Sequence, residues 1–479
     1  MKPIAFLGAL IAFSAIAACN SSSDNSNPTT STAIAEGATP RASCGTGSLP
    51  EQDMQGRVSQ ADHDSGLAAQ GFRCNTELVG SYMVPNAIGT VGGFKVERYV
   101  DASGNECAYY DSTLLFPSNA LDLNVGVNVL DMSDPANPVL SARLLTPAML
   151  SPHESLVVSQ QAGILAAVMG NPAFYPGIVD VYDLSADCRD PQLQSSALVG
   201  VLGHESGMAP DGKTFYSASP GTPTLTAVDI SNPRLPMPIW SGNYTSHGLS
   251  ISNDGNRAYL ASGNGKGVLI MDVSEIQARV ANPQVREVAS ISWDNQTIPQ
   301  NAIPFTRDGK AYLLEIDEYS KAQGGEGGGA PAVAAHGAVV GAGRIIDISD
   351  ETQPRIISNL RLEVHEPENR EAIAADPGAQ NPTGGYAGHY CNIPTRVNPD
   401  IVACSMIISG LRIFDIRDPY NPREVAYYNA PVQPRVLTVP APASNWAMSS
   451  PAFVAERKEI WYTDGYSGFY AIRVTNGAW

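Results

Sequence analysis

Several apolar runs of this chain end in the same short sequence pattern. Such a run ends in Asp and is followed by a turn that contains Pro, as in NVGVNVLDMSDPANP (124–138) and GLRIFDIRDPYNP (410–422). Six copies, separated by 43 to 75 residues, place this Asp at Asp131, Asp183, Asp229, Asp272, Asp347 and Asp415. Such periodic self-similarity indicates a chain built from repeated structural units.

Each repeat predicts four antiparallel strands. In SHGLSISNDGNRAYLASGNGKGVLIMDVS (246–274), a hairpin at Asn-Asp-Gly joins two short strands, and a third strand ends in the repeated Asp. VREVASISW (285–293) supplies the fourth, and a seventh copy, GFYAIRVTNG (468–477), has Arg473 in the Asp position. Because four-stranded units with periods of roughly 45 residues are typical of propellers, we predict an all-β fold, a seven-bladed β-propeller of four-stranded antiparallel blades.

The two ends of the repeat region predict how the ring closes. The last copy stops after its third strand, whereas CNTELVGSYMV (74–84) has the pattern of a fourth strand. We predict that this N-terminal strand completes the last blade, which removes the open ends of the ring. The six repeated Asp residues are structural in this interpretation, because their carboxylates can accept backbone N–H groups of the following turn.

The repeats also carry a family resemblance. VLDMSDPANP (129–138) and IFDIRDPYNP (413–422) resemble the repeats of the LVIVD-repeat β-propeller lipoproteins, a bacterial group. The resemblance covers nearly everything from about residue 72 to the end of the chain. It implies the propeller fold and no particular activity, because that family is largely without assigned chemistry.

The N-terminus has the pattern of a bacterial lipoprotein signal. An apolar stretch ends in Ile-Ala-Ala-Cys at positions 16–19, which resembles a lipobox. The resemblance implies cleavage before Cys19 and acylation of its thiol; the alternative is an ordinary secretory signal with an incidental Cys. We therefore divide the chain into a lipoprotein signal peptide (1–18), a flexible tether (19–43) and the propeller (44–479).

The same resemblance predicts where the protein acts. The residue after Cys19 is Asn20 and not Asp, which implies the outer membrane if the source is Gram-negative. We predict a protein of the bacterial cell envelope, held outside the cytoplasm by a lipid anchor that is its only contact with the membrane. The formal net charge of −18 argues against nucleic acid as a partner, because nucleic acid requires a basic surface.

The long insertions are all predicted on one face of the propeller. Strand direction alternates within a blade, so the connectors between strands two and three share a face with those between blades. These connectors include residues 318–343, 365–388 and 430–446 and the aromatic segment NPAFYPG (171–177). Long loops on one rim usually serve function. Our first hypothesis is a binding or interaction scaffold that holds a protein or small-molecule ligand on this long-loop face.

Four His residues are predicted to meet at the mouth of the central channel. They open first strands, which line the channel and begin at the long-loop face: His153, His204, His247 and His389. Neutral imidazoles from different blades can ligate a transition metal such as copper or zinc. The alternative is that they are channel-lining groups hydrogen-bonded to backbone and buried water. Our second hypothesis is a metal-dependent enzyme of redox type with its site at this mouth.

A distant likeness favours the second hypothesis. Selenium-binding/methanethiol-oxidase proteins are also propellers with His at a copper centre, although none of their longer motifs is present. Glu154 and Glu205 each belong to a His-Glu-Ser motif, but adjacent strand residues point to opposite sides, which argues against a catalytic triad. Motifs of common hydrolases, nucleotide-binding proteins and metalloproteases are absent, so catalytic residues stay unassigned. His63, His336 and His365 receive no role.

Export predicts disulfides among the six Cys residues that remain after Cys19. Cys391 and Cys404 flank the turn TRVNPDI (395–401), so they should face each other across a hairpin. We predict a cross-strand disulfide between them; the alternative is two buried thiols.

The other four Cys residues are assigned by their place in the predicted blades. Cys74 enters the closing strand and Cys107 begins a second strand of blade one, which predicts a bond at the closure. Cys44 and Cys188 would then pin the segment before the blades to blade two.

Overall fold

The regular structure of this chain is almost entirely β. The computed structural model describes residues 37–479 except 86, 88–89, 113–124, 171–176, 201–202, 222, 295, 320–339, 381–384 and 434–443. The helices are α1 (Gln60–Ser65), α2 (Pro147–Leu150), α3 (Ser274–Gln277), α4 (Arg370–Ile373) and 3₁₀ segments at Gly263–Gly265, Glu363–His365, Pro367–Asn369, Pro377–Gln380 and Ala455–Arg457. None of the helices within these described ranges is long and apolar enough to cross a membrane.

The strands form seven antiparallel sheets around one axis, which confirms the predicted all-β, seven-bladed β-propeller. Before the blades lie β1 (Phe72–Cys74) and β2 (Thr76–Tyr82). Blades one and two contain β3 (Val96–Val100), β4 (Glu106–Asp111), β5 (Val127–Asp131), β6 (Val139–Leu144), β7 (Val157–Ser159), β8 (Ile164–Val168), β9 (Ile178–Asp183) and β10 (Gln192–Leu198). Blades three and four contain β11 (Ser206–Met208), β12 (Thr214–Ser217), β13 (Leu225–Asp229), β14 (Met237–Gly242), β15 (Leu249–Ile251), β16 (Arg257–Ala261), β17 (Val268–Asp272) and β18 (Arg286–Ile291). Blades five to seven contain β19 (Ile298–Arg307), β20 (Lys310–Glu318), β21 (Gly343–Asp347), β22 (Arg355–Leu360), β23 (Tyr390–Asn392), β24 (Ile401–Ser405), β25 (Leu411–Asp415), β26 (Arg423–Asn429), β27 (Ala452–Val454), β28 (Glu459–Asp464) and β29 (Gly468–Val474).

Blade seven takes its outer strand from the N-terminal side of the chain. β2 pairs antiparallel with β29, with Thr76 opposite Val474. At the same junction, Trp461 of blade seven shares a hydrophobic cluster with Val96 and Tyr110 of blade one. The preceding strand β1 pairs instead with β26, so blade six has five strands. The ring is therefore closed both by backbone pairing and by side-chain packing.

The repeated Asp residues have the structural role that the repeat predicts. Asp131 ends β5, and its carboxylate accepts the backbone N–H of Ser133, two residues later, at 2.9 Å. The same contact recurs in the five other copies at 2.8 to 3.0 Å. In the seventh copy, Arg473 forms ion pairs with Glu77 of β2 and Glu459 of β28. That arginine therefore links the N-terminal strand to the last blade.

The hydrophobic core lies between neighbouring blades. Val179 and Val181 of β9 pack with Phe215 of β12 and Val228 of β13, and all four are fully buried. Successive side chains of a strand point to opposite faces of its sheet, so each blade contacts both neighbours. This packing holds residues from different blades at fixed distances around the channel.

The segment before the blades lies against blades five and six. Residues 37–43, at the end of the predicted tether, already belong to the folded part, because the N–H of Thr39 donates to the carbonyl of Arg361 at 2.8 Å. Further along, Glu51 pairs with the fully buried Arg412 of blade six at 2.7 Å. The folded region thus begins before the predicted boundary.

One predicted disulfide is present, and two predicted pairings are wrong. Cys391 and Cys404 are bonded and stand opposite each other in β23 and β24. The predicted Cys74–Cys107 and Cys44–Cys188 bonds are replaced by Cys44–Cys74 and Cys107–Cys188.

Two packing arrangements explain the corrected pairings. Cys74 lies in β1, which bridges to the segment that carries Cys44, and not in the closing strand β2. Cys188 lies in the turn after β9 of blade two and packs against blade one, where its N–H donates to Asp101 at 3.1 Å. Cys107 of blade one is therefore its neighbour across the blade interface.

Candidate metal centre

The four predicted His residues converge at the mouth of the channel. They come from blades two, three, four and six, and each is 7% exposed or less: His153, His204, His247 and His389. The ring centroids of His153 and His204 lie 4.3 Å apart, and those of His204 and His247 lie 4.8 Å apart. Phe94 of blade one stands between the two ends of this row, 4.4 Å from the ring of His153 and 5.4 Å from that of His389. The structure thus brings all four together.

His153 reaches the centre from a turn and not from a strand. It lies four residues before β7, has a left-handed φ of +51°, and sits in a turn where the N–H of Ser155 donates to the carbonyl of Pro152 at 2.9 Å. The prediction that His153 opens a strand is therefore wrong, whereas the other three lie one or two residues before their first strands. Because side chains do not alternate in a turn as they do in a strand, His153 and the next residue, Glu154, both contact the cluster.

Glu154 is the central group of the site. Its carboxylate oxygen Oε2 lies 3.2 Å from Nε2 of His204 and 3.8 Å from Nε2 of His247. The other oxygen, Oε1, lies 3.3 Å from Nε2 of His389 and 3.8 Å from Nε2 of His153. All four imidazoles therefore direct the same ring nitrogen at one carboxylate, which is 2% exposed.

Glu318 is a second carboxylate of the site, and sequence reasoning did not identify it. Its oxygens lie 3.4 Å from Nε2 of His247 and 3.3 Å from Nε2 of His389. Glu318 ends β20 and stands opposite Ile298, the first residue of β19. The end of a second strand is thus level with the start of a first strand, where the imidazoles lie. The available sequence signal was an acidic residue at a strand end, directly before the longest insertion.

Backbone carbonyls orient two of the rings. Nδ1 of His389 lies 2.6 Å from the carbonyl oxygen of Met448, and Nδ1 of His247 lies 3.2 Å from that of Pro299. A carbonyl oxygen can only accept, so Nδ1 of each ring carries a proton and Nε2 is the ring nitrogen that faces the two carboxylates. Metal-ligating imidazoles are held in this way, with the second nitrogen donating to a carbonyl or carboxylate.

Burial and charge act against each other inside the cluster. Burial favours a neutral carboxyl, but the imidazole of His204 and its neighbours hold the pKa of Glu154 well below its usual range. Burial likewise disfavours the imidazolium, but hydrogen bonds with Glu154 and Glu318 raise the pKa of His389 to about 10. Burial and the adjacent His204 lower the pKa of His247 to about 3. The cluster thus holds positive charge between two carboxylates, the place that a metal cation can occupy.

A buried ion pair lies next to the site, because Glu205 directly follows His204 in the chain. Nζ of Lys95 lies 2.9 Å from Oε1 of Glu205, and the side-chain amide of Asn301 donates to the same oxygen. Glu205 belongs to the second His-Glu-Ser motif, yet it contacts this lysine, and burial raises its pKa to about 7. The pair lines a cavity of about 220 Å³, together with residues from the first strands of several other blades.

The donor set suits a transition metal ion. The ligand atoms of His153, Glu154 and His204 all lie within 4.8 Å of one another, which allows one ion to reach all three. Imidazole nitrogen favours zinc, copper and iron over calcium and magnesium. The residues present therefore fit the predicted cofactor class, a transition metal such as copper or zinc.

The remaining predicted features lie elsewhere in the chain. His63 lies in α1, and Nδ1 of His365 accepts the backbone N–H of Leu362 at 3.0 Å in a 3₁₀ segment. His336, Cys19, the signal peptide and most of the tether fall outside the described residues.

The long-loop face is described only in part. Most of its insertions fall in the ranges 171–176, 320–339, 381–384 and 434–443, outside the described residues. The described part of the insertion after β22 forms α4 and three 3₁₀ segments, and its Asp376 pairs with Arg57 of the N-terminal segment at 2.9 Å. That part of the face is therefore covered by the protein's own chain.

Comparison with known proteins supports the repeat. The LVIVD repeat model matches residues 122–146, which contain β5 and β6 of blade one. No curated protein matches the sequence. Similar solved structures include hydrazine synthase of Kuenenia stuttgartiensis, at 14% identity over 82% of this chain and 98% of that chain with a TM-score of 0.48. A chain of the mitotic checkpoint complex is similar at 10% identity over 91% of this chain and 99% of that chain, with a TM-score of 0.49. Structural similarity at this level does not indicate the function of this chain.

Proposed function

We propose that this chain, a seven-bladed β-propeller with a match to the LVIVD repeat over residues 122–146, binds transition metal ions at the mouth of its central channel. The observation that supports the proposal most is the convergence of four Nε2 atoms on the carboxylate of Glu154, at 3.2 to 3.8 Å. Channel-lining imidazoles without a metal would be expected to find separate backbone and water partners. Here two rings have such backbone partners at Nδ1, yet all four direct Nε2 at one carboxylate, which together form a nitrogen and oxygen donor set that suits a transition metal.

The chain's own residues supply binding, orientation and charge at this centre. Glu154 and Glu318 offset the charge of a cation in a buried place where an unpaired charge is costly. The carbonyls of Met448 and Pro299 hold two of the rings. A bound ion would supply Lewis-acid or redox chemistry, so metal binding is the premise on which the second hypothesis, a metal-dependent enzyme, depends.

Removal of two imidazoles tests the metal centre. We expect the full chain, purified without a His tag, to retain zinc, copper or iron in stoichiometric amount, measured by elemental analysis. His204→Ala/His389→Ala should lower the affinity at least about 100-fold, because the two imidazoles nearest to the two oxygens of Glu154 are lost. His63→Ala, outside the site, is the matched control and should retain the metal. A double variant that is folded and binds metal as the wild type does would exclude this centre.

We also propose that the protein is exported and anchored in the cell envelope through Cys19. The three disulfides support an oxidising compartment, and the lipobox pattern supports lipidation. Cys19→Ser should therefore move the protein from the membrane fraction to the soluble fraction and abolish incorporation of labelled fatty acid. Unchanged membrane association would contradict the anchor.

The scaffold hypothesis stays a prediction. It depends on a protein or small-molecule partner for the long-loop face, whose insertions lie mostly outside the described residues. The net charge of −18 argues against nucleic acid as that partner.

A further inference from the structure

The donor atoms of the metal centre divide evenly between the two oxygens of Glu154. Oε1 is the nearer oxygen to His389, at 3.3 Å, and to His153, at 3.8 Å. Oε2 is the nearer oxygen to His204, at 3.2 Å, and to His247, at 3.8 Å. One carboxylate thus faces two pairs of imidazoles, one pair at each oxygen.

Glu318 repeats the same division. Its Oε2 lies 3.3 Å from Nε2 of His389, and its Oε1 lies 3.4 Å from Nε2 of His247. These are members of different pairs. Each carboxylate therefore offers one oxygen to each pair of imidazoles, which is how a carboxylate bridges two metal ions.

We propose that the centre holds two divalent transition metal ions, bridged by the carboxylates of Glu154 and Glu318. The inference rests on the metal-binding function proposed above and adds the number of ions and the role of each carboxylate. The first donor set comprises His153, His389, Oε1 of Glu154 and Oε2 of Glu318. The second donor set comprises His204, His247, Oε2 of Glu154 and Oε1 of Glu318.

The composition of the two sets favours two ions over one. Each set has two imidazole nitrogens and two carboxylate oxygens, which matches the four-coordination that zinc commonly adopts. Ions in such two-metal sites lie about 3.5 to 4 Å apart, a span that a carboxylate can bridge. One ion held by His153, Glu154 and His204 would draw on both sets and would not use His247, His389 or Glu318, which contact the same carboxylates.

Metal stoichiometry tests the proposal. The full chain, freed of metal by a chelator and purified without a His tag, is titrated with Zn²⁺, and bound ions are counted by elemental analysis after removal of free metal. We expect the wild type to bind two ions per chain. His247→Ala, which affects only the second donor set, should retain one ion, and His63→Ala should retain two. Loading with Mn²⁺ should give a spin-coupled electron paramagnetic resonance signal in the wild type and an isolated-ion signal in His247→Ala.

The outcomes separate this inference from the function on which it rests. One ion per wild-type chain, with an uncoupled Mn²⁺ signal, would overturn the two-ion inference and leave the metal centre standing. No bound ion at all would overturn both. If His247→Ala fails to fold by circular dichroism, Glu318→Gln serves instead, because loss of one bridge should abolish the spin coupling. Two ions with unchanged coupling in that variant would also refute the bridging role.

Discussion

A Glu154→Gln variant should fold and yet bind metal at least about 100-fold more weakly than the wild type. Glutamine keeps the shape of the side chain but loses the negative charge and one of the two acceptor oxygens. All four imidazoles contact this carboxylate through Nε2, so the loss of its charge affects the whole donor set at once. Isothermal titration of metal-free protein with Zn²⁺ measures the loss directly.

Glu205→Gln is the matched control for this variant. Glu205 belongs to the same His-Glu-Ser motif one blade later and is equally buried, but it pairs with Lys95. We expect this variant to lose stability, because a buried lysine is left without its counter-charge, and to keep its affinity for metal. If both variants lost metal to the same degree, general disruption of the channel mouth would explain the result and the central role of Glu154 would be refuted.

Gly248→Ala should destabilise the fold by about 3 kcal/mol, near the upper end of the usual cost of overpacking a core. Gly248 directly follows His247, and a Cβ at this position would overlap a carboxylate oxygen of Glu205 and the backbone carbonyl oxygen of Gln300. The first can move only by breaking the buried ion pair with Lys95, and the second belongs to β19. The urea midpoint of unfolding should therefore fall.

Gly45→Ala provides the comparison for that substitution. A Cβ at Gly45 would approach only the side-chain oxygen of Asn75, at 3.3 Å. We expect a change of less than about 1 kcal/mol there, partly offset by the reduced entropy of the unfolded chain. Equal urea midpoints for the two variants would show that the channel mouth is looser than the packing around Gly248 indicates.

The blades were predictable because their signals are local. Each copy of the repeated Asp binds the N–H two residues later, so the same short pattern marks the same turn in every blade. Two disulfide pairings were not predictable, because they join segments 30 and 81 residues apart that only the closed ring brings together. The local sequence pattern also did not show that the N-terminal segment contributes two strands, β1 to blade six and β2 to blade seven.

Of the candidate site, only the residues at equivalent positions in successive repeats could be predicted from the sequence. His204 and His247 occupy equivalent places before the first strands of successive blades, so their convergence followed from the fold. The direction of Glu154 did not, because it depends on the left-handed turn at His153, where an alternating strand was assumed. Glu318 reaches the site through antiparallel pairing at the end of a second strand, a position that the pattern of first strands does not mark.

Anomalous diffraction from crystals of the full chain loaded with Zn²⁺ would locate the proposed ions. With data collected on both sides of the zinc edge, we expect anomalous density at the channel mouth between Glu154 and Glu318, within bonding reach of Nε2 of the surrounding imidazoles. Ordered His and Glu side chains at the mouth with anomalous density elsewhere, or with none, would contradict the proposed metal centre.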